Sequence, residues 1–471
     1  MITLVSFLGF LVIFLAVGLA SAFKGRGTSS DYYLASRSVS PTMAGLSAVA
    51  TNNSGYMFIG VIGYTYVVGL ASIWLMIGWI FGDFLASLFI QRKLRLATER
   101  TGQSSFGAVI SGWQGVPMPV WRRIAAVLTI VFLGAYAAAQ IAAGGKALNG
   151  VLGWEQATGA WIVAAMVLAY SMAGGIRASI WTDVAQSIVM FLAMTLLVVA
   201  GVNQMGGFGA TIAAWRAIPD FFDLVPPDLV VPGFAGLLLF IVGWIFAGLS
   251  VIGQPHIMVR FMALDSPQNM AAARIVYYGF FTAFYALATA AGMLARLFLP
   301  DLASLDPELA LPFMAVELLH PVFVGVILAG IFAATMSTAD SLVLSCSAAI
   351  TNDLPRRPAR QSWQMKAATA AVTGFALMLA LQGNQSVFDL VILAWSSLAA
   401  AFGPLLILYA MNRRISEAGA IAMMGTGLAV ALAWRGLGLH NALYEGLPGM
   451  VAGLALGIAL SIRSAPRPAA S

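Results

Sequence analysis

Apolar runs of about 20 residues, parted by charged or Pro- and Gly-rich breaks, dominate the chain. They fall near residues 2–22, 41–66, 70–91, 122–149, 156–174, 180–203, 232–255, 271–299, 321–351, 367–382, 386–411, 416–434 and 446–463. None shows the two-residue alternation of a membrane barrel strand, and a helix of this length crosses roughly 30 Å of hydrocarbon. The pattern therefore predicts an all-α polytopic membrane protein of about 13 transmembrane helices, with its two ends on opposite sides.

Composition agrees. Of the 471 residues 61% are hydrophobic and 9% charged, where a soluble domain carries about 25% charged residues. So few charges cannot coat a water-soluble globule, and lipid is the expected solvent. The net charge of +6 is a matter of topology. With the N-terminus outside, only Lys146, Arg216, Arg296 and Arg435 of the 24 basic residues lie toward the outer side, together with the acidic Asp220, Asp223, Asp228, Asp301, Asp306 and Glu308. The rest, including Arg260, Arg360 and Arg467, fall in the inner loops 23–40, 92–121, 175–179, 256–270, 352–366, 412–415 and the tail, or at that interface. The positive-inside bias thus predicts an outer N-terminus and a cytoplasmic C-terminus, with no nucleic-acid partner implied. The first run lacks a basic leader and is expected to stay as a helix. Cys346, His256, His320 and His440 are scattered and suggest neither disulfide nor zinc chemistry.

Two runs break the rules of a membrane helix. The second carries Ser47-Ala-Val-Ala-Thr51-Asn52-Asn53-Ser54-Gly55 at mid-depth. Asn and Gly are poor helix formers, so this segment is expected to unwind and turn freed carbonyls toward a ligand, the alternative being small-residue packing between helices. The seventh has a matching interruption at Gly243, Gly248, Ser250, Gly253, Gln254 and Pro255. If each break opens a five-helix half, the halves insert with opposite topology. That inverted five-plus-five repeat, LeuT-like with broken helices 2 and 7, is the architecture of many secondary transporters. The chain then reads as one transporter domain, 1–471: a first helix and loop (1–40), repeat one (41–203), repeat two (232–411), and two further helices with the tail (412–471).

The ninth run places Ala334, Ser337, Thr338, Ser341 and Ser345 on one helical face. Such a hydroxyl stripe, facing unwound carbonyls, suits a hard cation, while each single hydroxyl can equally bond back to its own helix. Asp183 and Asp340 are intramembrane carboxylates and so functional candidates, although Asp183 also suits a helix N-terminus. Asp83 reads as paired with a basic residue or set in an aqueous vestibule, and no role follows for it. No constellation suited to acid–base or metal chemistry is seen, so an enzyme is not expected.

Several strings, in order, resemble the sodium:solute symporter family, closest to its sodium/proline branch. They are Asp31-Tyr-Tyr-Leu-Ala-Ser-Arg37-Ser, Tyr170-Ser171-Met-Ala-Gly174-Gly175-Ile176-Arg177, Trp181-Thr182-Asp183, Gly253-Gln254-Pro255-His256-Ile257, Met336-Ser337-Thr338-Ala339-Asp340-Ser341 and Ala401-Phe402-Gly403-Pro404. The resemblance implies Na+ as coupling ion, held by the carbonyls of Ala50 and Asn53 with Ala334, Ser337 and Thr338. It also implies a second sodium at Asp183, Ser337, Asp340 and Ser341. For the solute it implies a pocket of Asn52, Ser54, Gly55, Tyr56, Tyr136, Ala247, Val251, Gln254 and Pro255. Tyr56 stands where proline carriers have tryptophan, Asn52 where they have aspartate, and Ala247 and Val251 where they have aromatic rings. The expectation is a sodium-coupled symporter of a bacterial-type inner membrane that imports proline or a related amino acid by alternating access, with no obligate protein partner. Another amino acid, a carboxylate or a pantothenate-like solute, a transporter-like sensor, and proton coupling through Asp183 or Asp340 are the competing readings.

Overall fold

A computed structural model describes residues 1–301, 306–359, 361–382 and 386–463. Arg360 and Arg467, counted above among the inner basic residues, lie outside these. The main helices are α1 (Ile2–Ala20), α2 (Pro41–Asn52), α3 (Ile62–Val68), α4 (Ile73–Thr101), α5 (Pro119–Leu152), α6 (Gln156–Gly174), α7 (Ile176–Gln204) and α8 (Gly233–Leu249). They continue with α9 (Pro255–Met262), α10 (Met270–Phe298), α11 (Pro321–Ala348), α12 (Ser362–Gln382), α13 (Val387–Ala410), α14 (Glu417–Gly436) and α15 (Gly446–Leu460). The one sheet among the described residues pairs Arg413–Arg414 with Ile462–Arg463.

By length and composition, 11 helical runs of the described residues can cross a membrane, and α15 is a shorter apolar helix. One of the 11, Tyr56–Thr101, is 46 residues long. It joins the end of the second expected span to the whole of the third, and the chain turns inside it at Gly69, where φ is +73°. A side chain there would also meet the Phe221 carbonyl oxygen at 2.1 Å, so only glycine fits. Several expected loops are partly helical: shorter helices lie at Ser29–Leu34, Phe208–Arg216 and Ala310–Leu318, and two loops differ more. The stretch 92–121 continues α4 to Thr101 and holds a helix at Phe106–Gly112, and 256–270 contains α9. The second difference arises because Pro255 starts a helix at its first position, where the missing N–H costs nothing, and does not end one.

Depth in the bundle follows side-chain character. In the apolar windows of α11 and α13, 83% of positions are buried, against 22% for α1. Packing partners come in matched pairs: α4 lies on α8 as α10 lies on α2, and α7 lies on α11 as α13 lies on α5. The α4–α8 contact is made backbone to backbone. A Cβ at Gly82 would stand 1.9 Å from the Ile245 oxygen, and one at Gly248 would stand 2.0 Å from the Trp79 oxygen. Gly248→Ala is therefore expected to force these helices apart and to lower stability by about 1–3 kcal/mol. Gly279→Ala, with nothing within 4 Å of the added methyl, should be near neutral in the same thermal unfolding series.

The segment before α2 is pinned by charge. Asp31 accepts hydrogen bonds from the Arg26 N–H at 2.6 Å, Ser36 Oγ at 2.9 Å and Arg177 at the start of α7. Burial pushes its carboxyl up, but these donors outweigh that and hold it below the usual range.

Candidate functional site

The helical backbone of α2 stops at Asn52. Asn53 has φ −78° and ψ +61°, outside the helical region, and helix resumes at Tyr56. The N–H of Gly55 donates to Gln140 Oε1 on α5 at 2.8 Å, and the Tyr136 hydroxyl donates to Ser54 Oγ at 3.2 Å. A methyl at Gly55 would lie 2.8 Å from Thr335 Cγ2 and 2.9 Å from Gln140 Oε1, so glycine lets α5 and α11 close on the break. The second interruption runs through a tight turn at Ser250–Gly253 to Gln254, which is extended at φ −99°, ψ +97°. Gln254 Nε2 donates to the carbonyls of Ser250 (3.1 Å) and Trp395 (2.8 Å), and Trp395 Nε1 donates to the Ala247 carbonyl at 2.8 Å.

Carbonyls freed at the first break meet the hydroxyl stripe of α11. Ser337 Oγ lies 3.0 Å from both Ala50 O and Ala334 O, and Thr338 Oγ1 lies 2.8 Å from Thr51 O. Three of the five expected first-sodium ligands thus share one hydroxyl. Thr338 is bonded to the Thr51 carbonyl, which lies between the expected Ala50 and Asn53. All the side chains concerned are neutral, and Asn53 keeps both amide atoms buried without a partner.

One turn toward the start of α2, three of the four expected second-sodium residues, Asp183, Asp340 and Ser341, gather about a guanidinium, while Ser337 stays with the first set. Arg260 of α9 is fully buried and donates to Asp183 Oδ2 at 3.3 Å, Ser179 Oγ at 2.7 Å, Ser47 Oγ at 3.3 Å, and Ser341 Oγ. Ser341 and Ser179 in turn donate to Asp340 Oδ1 at 2.8 and 3.1 Å. The reading of Arg260 as an interface residue is therefore corrected: placing α9 as a loop left its arginine at the surface. The guanidinium meets Asp183 directly and Asp340 through Ser179 and Ser341, and Asp183 Oδ1 and Asp340 Oδ2 are buried without partners.

The expected solute residues divide. Ser54, Gly55, Tyr136 and Gln254 converge on the two breaks with Pro255, and Ala247 is tied there through Trp395. Val251 is buried in the tight turn between them. Tyr56 packs against Trp79 and Phe388, with ring centroids 5.7 and 5.1 Å apart. Asn52 turns away, donating to the Tyr277 hydroxyl at 2.6 Å and to Asp83 Oδ2 at 3.4 Å. Neither sequence reading of Asp83 holds, since it is fully buried and, among the described residues, no basic side chain pairs with it.

Sequence reasoning missed Gln140, Trp79, Trp395 and His256. Gln140 was findable as an amide one helical turn from Tyr136. His256, beside Pro255, stacks edge-on to Tyr136 and Trp395 with both ring nitrogens buried and unpartnered. Buried polar atoms without partners gather here: Tyr56 Oη, Trp79 Nε1, Gln140 Nε2, Gln254 Oε1 and Ser397 Oγ join them. An unmet buried polar group costs about 1–3 kcal/mol, so these atoms are available to a polar ligand.

Comparison with known proteins fits this arrangement. The sodium:solute symporter family model matches residues 32–427. The high-affinity proline transporter PutP of Bacillus subtilis (strain 168) is 33% identical over 444 residues, 92% of each chain. The sodium/proline symporter of Escherichia coli (strain K12) is 30% identical over 448 residues, covering 92% of this chain and 87% of the other. Among solved structures, a Na+-coupled sialic acid symporter in a substrate-bound outward-open state shares the fold, with a TM-score of 0.81 and 18% identity over 97% of both chains. A nucleobase-cation-symport-1 family transporter in a closed conformation is more distant, with a TM-score of 0.57 and 16% identity, covering 91% of this chain and 93% of that one. These relatives are transporters, not enzymes, and this multi-pass membrane chain belongs to the sodium:solute symporter family.

Proposed function

We propose that the protein is a sodium-coupled symporter that imports a small zwitterionic solute, proline or a related amino acid, by alternating access. The observation that carries this reading is the bridge of Ser337 Oγ between the Ala50 and Ala334 carbonyls. It sets neutral oxygens of a broken helix and an unbroken one around a single point, the donor set a hard monovalent cation takes. Sodium bound between α2 and α11 holds the break in one geometry and thereby shapes the adjoining pocket of Ser54, Gly55, Tyr56, Tyr136, Gln254 and Pro255. The pocket's unpartnered donors suit a carboxylate, its unpartnered acceptors suit an ammonium, and no charged side chain lies among them. Proline is favoured by the relatives described as proline transporters. A second sodium would sit on the partnerless oxygens of Asp183 and Asp340. The matched packing pairs support two inverted repeats, 41–203 and 232–411, rocking about the breaks, with the N-terminus outside.

The energetics suffice. One charge crossing 100 mV releases about 2.3 kcal/mol, and a tenfold sodium ratio adds about 1.4 kcal/mol, enough for a several-hundredfold solute gradient. The test is uptake of a radiolabelled panel led by proline into proteoliposomes, driven by sodium, potassium or proton gradients. Sodium-driven accumulation of one solute is expected. Folded, inserted protein that accumulates nothing under any gradient contradicts transport and favours a sensor.

A further inference from the structure

Of the carboxylates buried in the bundle, most have a basic partner. Asp31 faces Arg177, Asp183 faces Arg260, Asp353 faces Arg122, and Glu445 faces Arg435. Asp340 reaches Arg260 through Ser179 and Ser341, which bond to both. Asp83 differs. Its carboxyl is fully buried ten residues into α4, so about 15 Å from the helix start. Its partners are the hydroxyls of Tyr277 (2.6 Å) and Tyr278 (2.9 Å) on α10 and Asn52 Nδ2 on α2 (3.4 Å). From α8, which carries no charged side chain, the backbone of Ile245 and Gly248 packs against this turn of α4. Tyr285, two turns along α10, has a buried hydroxyl without a partner.

An anion at mid-membrane without a countercharge is expensive, and a cation must be available to it in some state of the cycle. The cluster's own geometry selects which. Tyr277 Oη is 2.6 Å from both Asp83 Oδ2 and Asn52 Nδ2. A metal ion would have to wedge these atoms apart, whereas a proton needs no room. A polar track also leads to the site. Asp83, Ser87, Gln91 and Arg95 recur every fourth residue on one face of α4, with exposures of 0, 0, 1 and 3%. Arg274 of α10 lies along it, donating to the Ser87 carbonyl and to Gln91 Oε1 at 3.4 Å. Arg95 ends the track, bonded to the carbonyls of Leu264 (2.7 Å) and Asp265 (3.2 Å). Ser87 Oγ bonds back to the Phe84 carbonyl at 2.8 Å, while Gln91 Nε2 is buried without a partner.

We infer that Asp83 is a proton-binding site, reached along the Ser87–Gln91 track and coupled to the break of α2 through Asn52, so that this carrier's cycle takes up a proton beside sodium. The inference rests on the symporter reading. The chemistry is one proton from solution adding to a carboxylate oxygen. As an anion, Asp83 accepts from all three neighbours. As an acid, it becomes a donor toward Tyr277 Oη, and the Asn52 amide is released to move with the break. The neutral form is the one that permits the helices to rearrange, because α4 then carries no unpaired charge.

Two measurements test this. Sodium-driven uptake of radiolabelled L-proline in proteoliposomes is expected to fall about tenfold per pH unit once Asp83 ionises. Asp83→Asn, neutral at every pH, removes that fall and keeps uptake at alkaline pH. Tyr277→Phe keeps the carboxyl but removes a donor that stabilises its anion, and so moves the midpoint to higher pH. Independently of any solute, infrared difference spectra of the reconstituted protein between acid and alkaline pH should show a protonated-carboxyl band that Asp83→Asn lacks. An unchanged pH profile in Asp83→Asn, or an identical band in both proteins, overturns the inference. Absence of proline uptake alone would count against the solute reading, and the infrared result would still decide the proton site.

Discussion

Arg260→Met should be the most damaging single substitution in the bundle. Removing the guanidinium leaves Asp183 buried with no basic partner and strips Ser47, Ser179 and Ser341 of a shared donor. Breaking a buried pair on one side costs about 3–5 kcal/mol, whereas replacing both partners by neutral groups is often tolerated. Thermal unfolding of the detergent-solubilised protein should therefore show Arg260→Met far below wild type, with the double variant Arg260→Met, Asp183→Asn recovering most of the loss. A double variant as unstable as the sum of the two single changes would mean that the residues act apart and that Arg260 serves a different partner.

The second large effect is on sodium. Thr338→Ala and Ser337→Ala each delete a hydroxyl that meets a carbonyl freed by the break in α2. A hydrogen bond or ligand contact to a charged species is worth about 1.5–3 kcal/mol, so each change should raise the sodium needed for half-maximal uptake by at least about tenfold. The double variant should approach a hundredfold. Thr338→Ser, which keeps the oxygen, should restore most of the affinity, and membrane levels should stay near wild type. The measurement is initial uptake against sodium concentration at fixed ionic strength. Unchanged sodium dependence in the double variant would remove the ion from this place.

How far these features could be seen in advance depended on their range along the chain. Local signals carried well. Two asparagines, a serine and a glycine in an apolar run cannot continue a membrane helix comfortably, and the helix does stop at Asn52. The spacing of Ser337, Thr338 and Ser341 similarly placed their hydroxyls on one face, which the contacts to Ala50 and Thr51 now use. Ambiguous or long-range features did not carry. A proline reads equally as a helix stop and a first helical residue, and taking Pro255 as a stop misplaced Arg260 by a whole environment. Asp83 is satisfied by tyrosines nearly 200 positions away, so its hydrogen bonds to Tyr277 and Tyr278 have no trace in its neighbours. The direction of Asn52 is a similar case. A break tells that a side chain is freed, but whether it faces the pocket or the α4–α10 seam depends on which helix packs behind it.

Coupling between ion and solute is reciprocal, and this gives the most direct test of the central claim. Proteoliposomes equilibrated with radiolabelled sodium at equal concentration on both sides should be given an inward gradient of the solute identified by uptake. The account predicts that the solute gradient alone draws sodium inward above equilibrium, and that Ser337→Ala, Thr338→Ala abolishes the excess. Solute entry at the same rate in potassium, with sodium remaining at equilibrium, would contradict it.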